Sequence, residues 1–467
     1  MSDIKNDTKE LKKKLFLERK HGLFAMSDEE IAKCDEFCEN YKKFLDDAKT
    51  EREAVKVTLE LLEKKGYKEY KPGMKLSAGD KIYRNNRGKA VLMAVIGTEP
   101  IETGVRLCAA HIDSPRLDLK QNPLYEDNKI ALFKTHYYGG IKKYQWTAIP
   151  LSLHGVIVKA DGSEVCVSIG EDESDPVFCV TDLLPHLATD QMKRNLAQGI
   201  KGEELNIIIG SRPFRDDEAS EAVKLNILNI LFEKYGITEA DFISAELEAV
   251  PAFKAKDIGF DRSMIGAYGH DDRVCAYTAL AAALDCENPK HTAVTVLTDK
   301  EETGSDGNTG LCSAYLKYFI ADLAEDLGSN GRTVLSASEC FSADVNAAFD
   351  PTFPEVNERN NCAYLNNGVV VTKFTGARGK SGTSDASAEF VGRVRRLLDK
   401  ENVVWQTGEL GKVDMGGGGT VAAYIANLNV DTIDVGVPVL SMHAPYEIVS
   451  KIDVYMAYKA FAAFIAD

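Results

Sequence analysis

The sequence lacks several features that would assign it to a membrane or to an oxidising compartment. Its 467 residues contain no hydrophobic run of the roughly 18 residues that a membrane helix needs. The first residues, MSDIKNDTKELKKK, are polar and have no apolar core of the kind found in signal peptides. No CxxC pair occurs among the ten cysteines, which argues against a disulfide framework and a cysteine zinc site. These absences predict a cytoplasmic protein with reduced thiols and no membrane partner.

Basic side chains are too few to balance the acidic ones. The chain has 56 Lys and Arg against 72 Asp and Glu, which gives a formal net charge of −16. Such a surface disfavours nucleic acid and anionic membranes, so we expect neither as a partner. Hydrophobic residues make up 44% and charged residues 27%, as in globular proteins. The length fits one large domain plus a smaller one.

Apolar runs alternate with helical segments in the first and last parts of the chain. AVLMAVIG (90–97) and VRLCAAHID (105–113) suit strands that are buried on both faces. Ser27 and Glu30 form a capping-box pattern, and Gly66 follows a helical segment as a stop signal. Strands that alternate with helices predict an α/β fold with a mostly parallel sheet flanked by helices.

Residues 121–251 have a different composition. Segments such as LSLHGVIVKADGSEVCVSIG are typical of β-hairpins, and the acidic EDESDP that follows is a poor core candidate. The sequence therefore predicts a β-rich domain at 121–251, inserted into a discontinuous α/β domain that is formed by residues 1–120 and 252–467.

Acidic and imidazole side chains occur in five short segments that lie at predicted strand ends or loops. The segments are AAHIDSP (109–115), GHDDRV (269–274), TDKEETGSDG (298–307), SADVN (342–346) and SMHAP (441–445). Each segment alone is weak evidence for a functional site, because a single histidine or acidic pair is more often a solvated surface group. Open α/β sheets place their sites at the carboxyl ends of strands, so the whole set predicts one shared site.

Two histidines with several carboxylates form a recognisable ligand set. Zn²⁺ prefers such mixed nitrogen and oxygen ligands, and Mn²⁺ or Co²⁺ tolerates them. Two cations close together need a shared anionic ligand, for which Asp271 is the candidate. Such a pair activates water for attack on a carbonyl, and a nearby carboxylate must carry the proton. Glu301 and Glu302 are adjacent and can divide the roles of base and ligand.

In this order, the motifs resemble the M18 family of metallo-aminopeptidases, which includes the aspartyl aminopeptidases. The resemblance runs from HIDSP through EETGS and SADVN to SMHAPYEIVSKIDVYMAYKAF. It implies a zinc exopeptidase-like fold whose β-rich insert mediates dimers, and a dodecamer built from those dimers. It also implies a two-metal enzyme that removes the N-terminal residue of short peptides, with Asp or Glu as the candidate preference.

The resemblance further implies which residues bind two divalent metal ions, zinc foremost and manganese or cobalt as alternatives. His111 and Asp344 resemble the ligands of one ion. Glu302 and His443 resemble those of the second, with Asp271 as the bridge.

Other residues resemble the family's supporting and substrate groups. Asp113 matches the carboxylate that orients and polarises His111, and Glu301 matches the general base. Within VTKFTGARGKSG (371–382), Lys373 and Arg378 lie where the family has a basic substrate segment, although a solvated basic loop explains the pattern equally well. Because two aspartates are adjacent, Asp272 is the alternative to Asp271 as the bridge.

Two other functions stay open at this point. One is an N-acyl amino-acid deacylase with related metal chemistry, and the other is a catalytically silent assembly or shell protein. The sequence also departs from the family in YYGGIKKYQWTAIPL, which lacks the histidine that reaches a neighbouring subunit's site. His136, Lys142 and Lys143 are candidate substitutes for it.

Overall fold

The computed structural model describes residues 2–17, 21–216 and 220–467. The α-helices are α1 (Ser2–Leu15), α2 (Asp28–Asp47), α3 (Glu51–Lys64), α4 (Ala222–Tyr235), α5 (His270–Asp285), α6 (Tyr315–Asp326), α7 (Gly331–Ser336), α8 (Ala388–Lys400), α9 (Ala422–Ala426) and α10 (Lys451–Ala466). None of the helices in these ranges is both long and apolar enough to span a bilayer. All ten cysteines are free thiols.

The strands fall into three groups along the chain. The first four are β1 (Lys68–Glu69), β2 (Lys81–Asn86), β3 (Ala90–Val95) and β4 (Arg106–His111). The next seven are β5 (Arg116–Asp127), β6 (Ile130–Tyr138), β7 (Leu151–Val158), β8 (Glu164–Ile169), β9 (Cys179–Val180), β10 (Ile207–Gly210) and β11 (Ala245–Pro251). The last ten are β12 (Lys256–Ile258), β13 (Met264–Ala267), β14 (Ala293–Thr298), β15 (Glu339–Ser342), β16 (Asn346–Ala347), β17 (Val369–Thr372), β18 (Trp405–Thr407), β19 (Asp431–Gly436), β20 (Pro438–Leu440) and β21 (Glu447–Ser450).

Helix α2 begins where the sequence predicts. The Ser27 side chain accepts a hydrogen bond from the Glu30 backbone N–H, and the Glu30 carboxylate accepts one from the Ser27 backbone. This reciprocal capping box satisfies two N–H groups that have no partner inside the helix. Gly66, just after α3, has φ +81°, a conformation that glycine adopts without steric cost.

The large sheet is mixed, with parallel strands at its centre. Its order is β1-β2-β3-β14-β4-β15-β19-β17-β18. The central strands β14, β4, β15 and β19 are parallel to their neighbours in that series. The pairs β2/β3, β3/β14 and β17/β19 are antiparallel. The α/β prediction is confirmed, and antiparallel pairings on both sides of the centre make the sheet less uniformly parallel than expected.

Helices cover both faces of this sheet. Leu107 and Ala109 of β4 lie in a core with α6 and α7, whereas Cys108 and Ala110 lie in a core with α2, α5 and α10. Successive side chains of a strand point to opposite faces, so a strand covered on both sides needs an unbroken apolar run. This explains why LCAA (107–110) carries no polar alternation.

A second sheet is formed by the middle of the chain. Its order is β8-β7-β11-β5-β6-β10-β9, and its neighbouring strands pair in antiparallel fashion. It has an apolar core of its own, against which α4 packs. Strand β5 starts at Arg116, so the predicted boundary at residue 121 falls inside a strand. The division into two domains stays a prediction.

A third, smaller sheet has the order β12-β13-β21-β20-β16. In it, Ala267 at the end of β13 pairs with Glu447 at the start of β21. The chain enters α5 directly after β13, and it reaches β21 directly after the SMHAP segment. This pairing therefore brings two of the predicted site segments together.

Candidate metal centre

Neighbouring parallel strands deliver three of the site segments to one edge of the large sheet. His111 is the last residue of β4 and is paired in register with Thr298, the last residue of β14. Glu301 and Glu302 follow Thr298 in a short 3₁₀ turn. On the other side of β4, β15 ends two residues before Asp344. The three segments converge because the carboxyl ends of neighbouring parallel strands lie at the same edge of the sheet.

Asp271 and His443 are brought to the same place by a residue that the sequence analysis missed. Glu447 is buried, and its carboxylate accepts hydrogen bonds from the backbone N–H of Asp271 at 3.0 Å and of His443 at 2.7 Å. An acidic residue that opens an otherwise apolar strand, four residues after His443, was the available signal. Glu447 therefore fixes the two backbone segments that carry Asp271 and His443.

One carboxylate lies between the two histidine rings. Asp271 Oδ1 is 3.1 Å from His111 Nε2, and Asp271 Oδ2 is 3.1 Å from His443 Nε2. Asp344 Oδ1 lies 3.8 Å from His111 Nε2, and Glu302 Oε1 lies 3.5 Å from His443 Nε2. The five predicted metal-binding residues thus form one cluster, with Asp344 beside one ring and Glu302 beside the other.

Several of these atoms are close enough to hold a cation. One group is His111, Glu301 and Asp344, and another is His111, Asp271 and Glu302, with the ligand atoms in each group within 4.8 Å of one another. The second group differs from the predicted ligand pairs, because it places Glu302 beside His111, whereas the prediction pairs Glu302 with His443. The arrangement is compact enough for Glu302 to reach either side of the Asp271 carboxylate.

Two buried atoms within the cluster have no hydrogen-bond partner among the described residues. They are His111 Nε2 and Glu302 Oε1. Asp271 Oδ1 approaches His111 Nε2 but makes no hydrogen bond to it. A buried polar atom without a partner costs about 1–3 kcal/mol, and coordination to a cation would remove this cost. The donor set of imidazole nitrogens and carboxylate oxygens fits zinc.

The electrostatics of the cluster also favour a cation. Burial raises the pKa of Glu301 to about 8 and raises those of Glu302 and Asp344, and neighbouring carboxylates add to the effect. Burial acts in the same direction on Asp271, but the two neighbouring imidazoles, of His111 first and then of His443, hold its pKa below the usual range. Burial lowers the pKa of His443, yet the Asp271 carboxylate outweighs it and raises that pKa to about 10. Divalent cations would favour the ionised form of every carboxyl group here.

Asp113 holds His111 through Nδ1, the ring nitrogen that faces away from the cluster. The His111 Nδ1 lies 3.0 Å from the Asp113 backbone carbonyl and 3.3 Å from its Oδ1. The two carboxylate oxygens accept hydrogen bonds from the backbone N–H groups of Glu301 and Glu302, at 3.1 and 3.2 Å. Tyr138, which the sequence analysis also missed, donates its hydroxyl to Asp113 Oδ2 at 2.7 Å. Asp113 therefore fixes one histidine ring and the turn that carries both glutamates.

The neighbours of Asp271 in the chain point elsewhere. Asp272 Oδ2 accepts a hydrogen bond from the backbone N–H of His111 at 3.3 Å. His270 uses both ring nitrogens, in contacts with a tyrosine hydroxyl and a backbone carbonyl. Of these three residues, Asp271 is the one whose carboxylate lies between the rings, which favours it over Asp272 as the bridge.

The predicted substrate cations lie in another loop. Lys373 Nζ is 2.5 Å from Asp385 Oδ1, and Arg378 lines a small cavity beside the glycine-rich segment 416–419. No contact within the described ranges joins either side chain to the cluster. Their role in substrate binding stays a prediction.

A larger cavity opens beside His443. It has a volume of about 610 Å³, and Lys142 lines it together with Asp350. The other two candidate substitutes for the family histidine lie against Tyr137, His136 by stacking and Lys143 by placing its ammonium over the ring. Of the three, Lys142 is the one that reaches the neighbourhood of the cluster within the same chain.

Comparisons with known proteins agree with the motifs. The chain matches the family described as Aminopeptidase I zinc metalloprotease (M18) over residues 44–465. A relative from Clostridium acetobutylicum, described as a probable M18 family aminopeptidase 1, is 51% identical over 459 residues, which are 97% of this chain and 99% of the relative. The crystal structure of an M18 aminopeptidase from Thermotoga maritima has a TM-score of 0.92 at 45% identity and covers 96% of this chain and 99% of that chain.

Two further structures extend the comparison. Aminopeptidase I from C. acetobutylicum has a TM-score of 0.92 at 48% identity, covering 97% of this chain and 100% of that chain. A yeast aminopeptidase, described as a dodecamer, has a TM-score of 0.74 at 21% identity over 91% of this chain and 95% of that chain, and it shares the fold. The family match and the close relatives place the chain, as its motifs predict, in the M18 family of zinc metallo-aminopeptidases.

Proposed function

We propose that the chain is a two-metal aminopeptidase that hydrolyses the N-terminal peptide bond of short peptides. The observation that carries this proposal is the Asp271 carboxylate, whose two oxygens each lie 3.1 Å from the Nε2 atom of a different histidine. A carboxylate that presents one oxygen to each of two imidazoles is arranged to be shared by two cations.

Five residues would hold the ions. His111 and Asp344 would bind one ion, Glu302 and His443 the other, and Asp271 both. Zinc is the proposed ion because the ligands are mixed nitrogen and oxygen donors, with manganese or cobalt as alternatives. When bound, the ions would polarise the scissile carbonyl and make the attacking water more acidic.

Glu301 is the proposed proton carrier. Its carboxylate lies at the border of the cluster, 3.9 Å from His111 Nε2, and its backbone N–H is held by Asp113. A carboxylate in this position can take a proton from the attacking water and return it to the leaving amine. Asp113 holds the Nδ1 side of His111, which leaves Nε2 free to face the cluster.

Hydrolysis of amino-acid anilides tests the activity. We expect the chelator-stripped protein to be inactive on Asp-, Glu-, Leu- and Lys-anilides, and zinc, manganese or cobalt to restore cleavage. Substrates whose α-amino group is acetylated should not be cleaved, whereas a deacylase would accept them. Failure on every free anilide with every metal would contradict the proposal and favour the silent shell.

An acidic preference is the finer part of the proposal. Arg378 lines a cavity beside the glycine-rich segment 416–419, and Lys373 lies five residues earlier, paired with Asp385. A cation is what an Asp or Glu side chain would need. In the same set of anilides, the Asp and Glu substrates should have a higher kcat/KM than the Leu substrate. A higher value for Leu would show that this loop does not set specificity.

We also propose that the chain forms a homo-oligomer built from dimers through the second sheet, as a dodecamer. Helix α4 has apolar side chains on several sides, and only Val223 of its residues is fully buried. Leu225, Ile230 and Phe232 are 43%, 48% and 57% exposed. Large apolar side chains exposed close together mark a surface that another protein covers, and a second copy of the chain would cover this one.

Charged substitutions on α4 test the assembly. Replacing Ile230 and Phe232 together by glutamate should lower the particle mass, because buried carboxylates without partners oppose association. Sedimentation velocity measures this, and Tyr318→Glu, a change at a 62% exposed aromatic on α6, is the matched control. An unchanged mass for the double variant would contradict α4 as an interface.

The proposed location is the cytoplasm. All ten cysteines are free, including Cys34 and Cys38, which lie one turn apart on α2. Free thiols in this number fit a reducing compartment.

A further inference from the structure

The segment that ends strand β6 reaches the metal centre from the second sheet. Tyr138 is the last residue of β6, and Gly139 and Gly140 follow it. The Tyr138 hydroxyl donates to Asp113 Oδ2 at 2.7 Å, and the Gly140 carbonyl accepts a hydrogen bond from His443 Nδ1 at 2.7 Å. Two residues of this segment thus hold the two proposed metal-binding histidines, Tyr138 through Asp113 and Gly140 directly.

Each histidine is held by the nitrogen that faces away from the cluster. For His111 this is Nδ1, which contacts Asp113, and for His443 it is Nδ1, which contacts Gly140. A histidine that binds a metal normally donates its other N–H to such a partner, which sets its tautomer and ring orientation. Gly140 of this segment is itself the partner of His443, and Tyr138 holds Asp113, which is the partner of His111.

The ring of Tyr138 is itself held in place. The Arg116 guanidinium lies 3.9 Å from the ring centroid, a cation–π distance. Arg116 also pairs with Asp118 at 2.8 Å, with Glu248 at 3.2 Å and with the buried Glu51 of α3 at 3.4 Å. Apart from Glu51, these residues belong to β5, β6 or β11 of the second sheet. The position of the hydroxyl is therefore set mainly by that sheet.

The two glycines permit the close approach of this segment. Gly139 has φ +75°, and a Cβ atom there would lie 3.2 Å from Glu302 Oε2. A Cβ atom at Gly140 would lie 3.4 Å from His443 Nδ1. A larger residue at Gly139 would be strained in its backbone and would press on a proposed ligand.

We propose that Tyr138 is a positioning residue of the metal centre, which acts through Asp113. The segment 138–140 thereby makes the second sheet part of the metal site within one chain, in addition to any role in assembly. This inference rests on the proposed set of metal-binding residues.

Tyr138→Phe tests the inference, because it removes the hydroxyl and keeps the ring over Arg116. We expect the zinc affinity to fall by up to about 10-fold, since 10–100-fold is typical when the direct partner of a ligating histidine is lost and this variant keeps Asp113. Competition with a chromophoric chelator measures the affinity, and the visible spectrum of the Co²⁺ form reports a changed ligand geometry. Tyr137→Phe, at the adjacent tyrosine that is 38% exposed, should match the wild type in both.

A double-mutant cycle shows whether the effect passes through Asp113. In an Asp113→Asn background, Tyr138→Phe should cause little further loss of zinc affinity, whereas independent losses that add would overturn the inference. Zinc should raise the unfolding temperature of Tyr138→Phe by less than it raises that of wild type, because weaker binding stabilises the folded state less. An equal zinc-dependent rise in the two proteins would overturn the inference as well. If wild type binds zinc and hydrolyses anilides while Tyr138→Phe behaves like Tyr137→Phe, this inference alone fails. If wild type binds none of zinc, manganese and cobalt, the proposed function fails with it.

Discussion

Replacing Glu301 by glutamine is expected to lower kcat by about 10²–10⁴-fold while the bound zinc is retained. An amide of the same shape cannot accept the proton that the attacking water loses. The backbone of residue 301 should stay in place, because its N–H is held by Asp113 and not by its own side chain. An interaction made only in the transition state should lower kcat and kcat/KM together.

Zinc content is measured on the same samples as the kinetics, so that loss of the metal is distinguished from loss of proton transfer. Asp306→Asn, which alters an exposed carboxylate in the same loop, is the matched control and should leave both quantities unchanged. Glu301 is also near enough to His111 and Asp344 to take part in coordination. If Glu301→Gln loses zinc in proportion to its activity, Glu301 is a ligand and the proton carrier must be sought elsewhere.

Asp271→Asn is expected to abolish activity through loss of the metals. The substitution would remove the negative charge that the two proposed cations share, and it leaves one oxygen where there were two. The fall in zinc affinity should exceed the roughly 100-fold upper range for residues that only support a ligand. Inductively coupled plasma mass spectrometry of the dialysed variant would measure how much zinc remains per chain.

Asp272→Asn is the natural comparison, since the two aspartates are adjacent and both buried. The Asp272 side chain accepts from the His111 backbone N–H, which an amide oxygen can also do. We therefore expect Asp272→Asn to keep most of its zinc. The opposite pattern, with metal lost in Asp272→Asn and kept in Asp271→Asn, would mean that the bridge has been assigned to the wrong aspartate.

The parts of the site that lie at strand ends were predictable from the sequence. His111 ends an apolar run, and runs of that kind form parallel strands whose carboxyl ends meet. Asp271 and His443 were harder, because their approach depends on the pairing of β13 with β21, and no periodicity reveals it. For these residues the order of the motifs, compared with a known family, supplied what the local pattern did not.

Glu447 and Tyr138 could not be found in the same way. Glu447 begins β21 and contacts Asp271, and Tyr138 ends β6 and contacts Asp113. Both contacts depend on how the strands pair, which the local sequence pattern does not reveal. The direction of β17 was equally hidden, because an all-valine run such as Val369–Val371 looks the same in either direction. The partner of Lys373, an aspartate 12 residues further on, likewise depends on the path of an irregular loop.

The hydrogen bonds of Glu447 bear on how the proposed ions would bind. A single carboxylate ties the main chain at residues 271 and 443 together, so folding itself sets the spacing of both segments. Binding of the proposed ions would then require adjustments of side chains and little further loss of chain entropy. We therefore expect the fold to persist when a chelator removes the ions, and the emptied protein to take them up again.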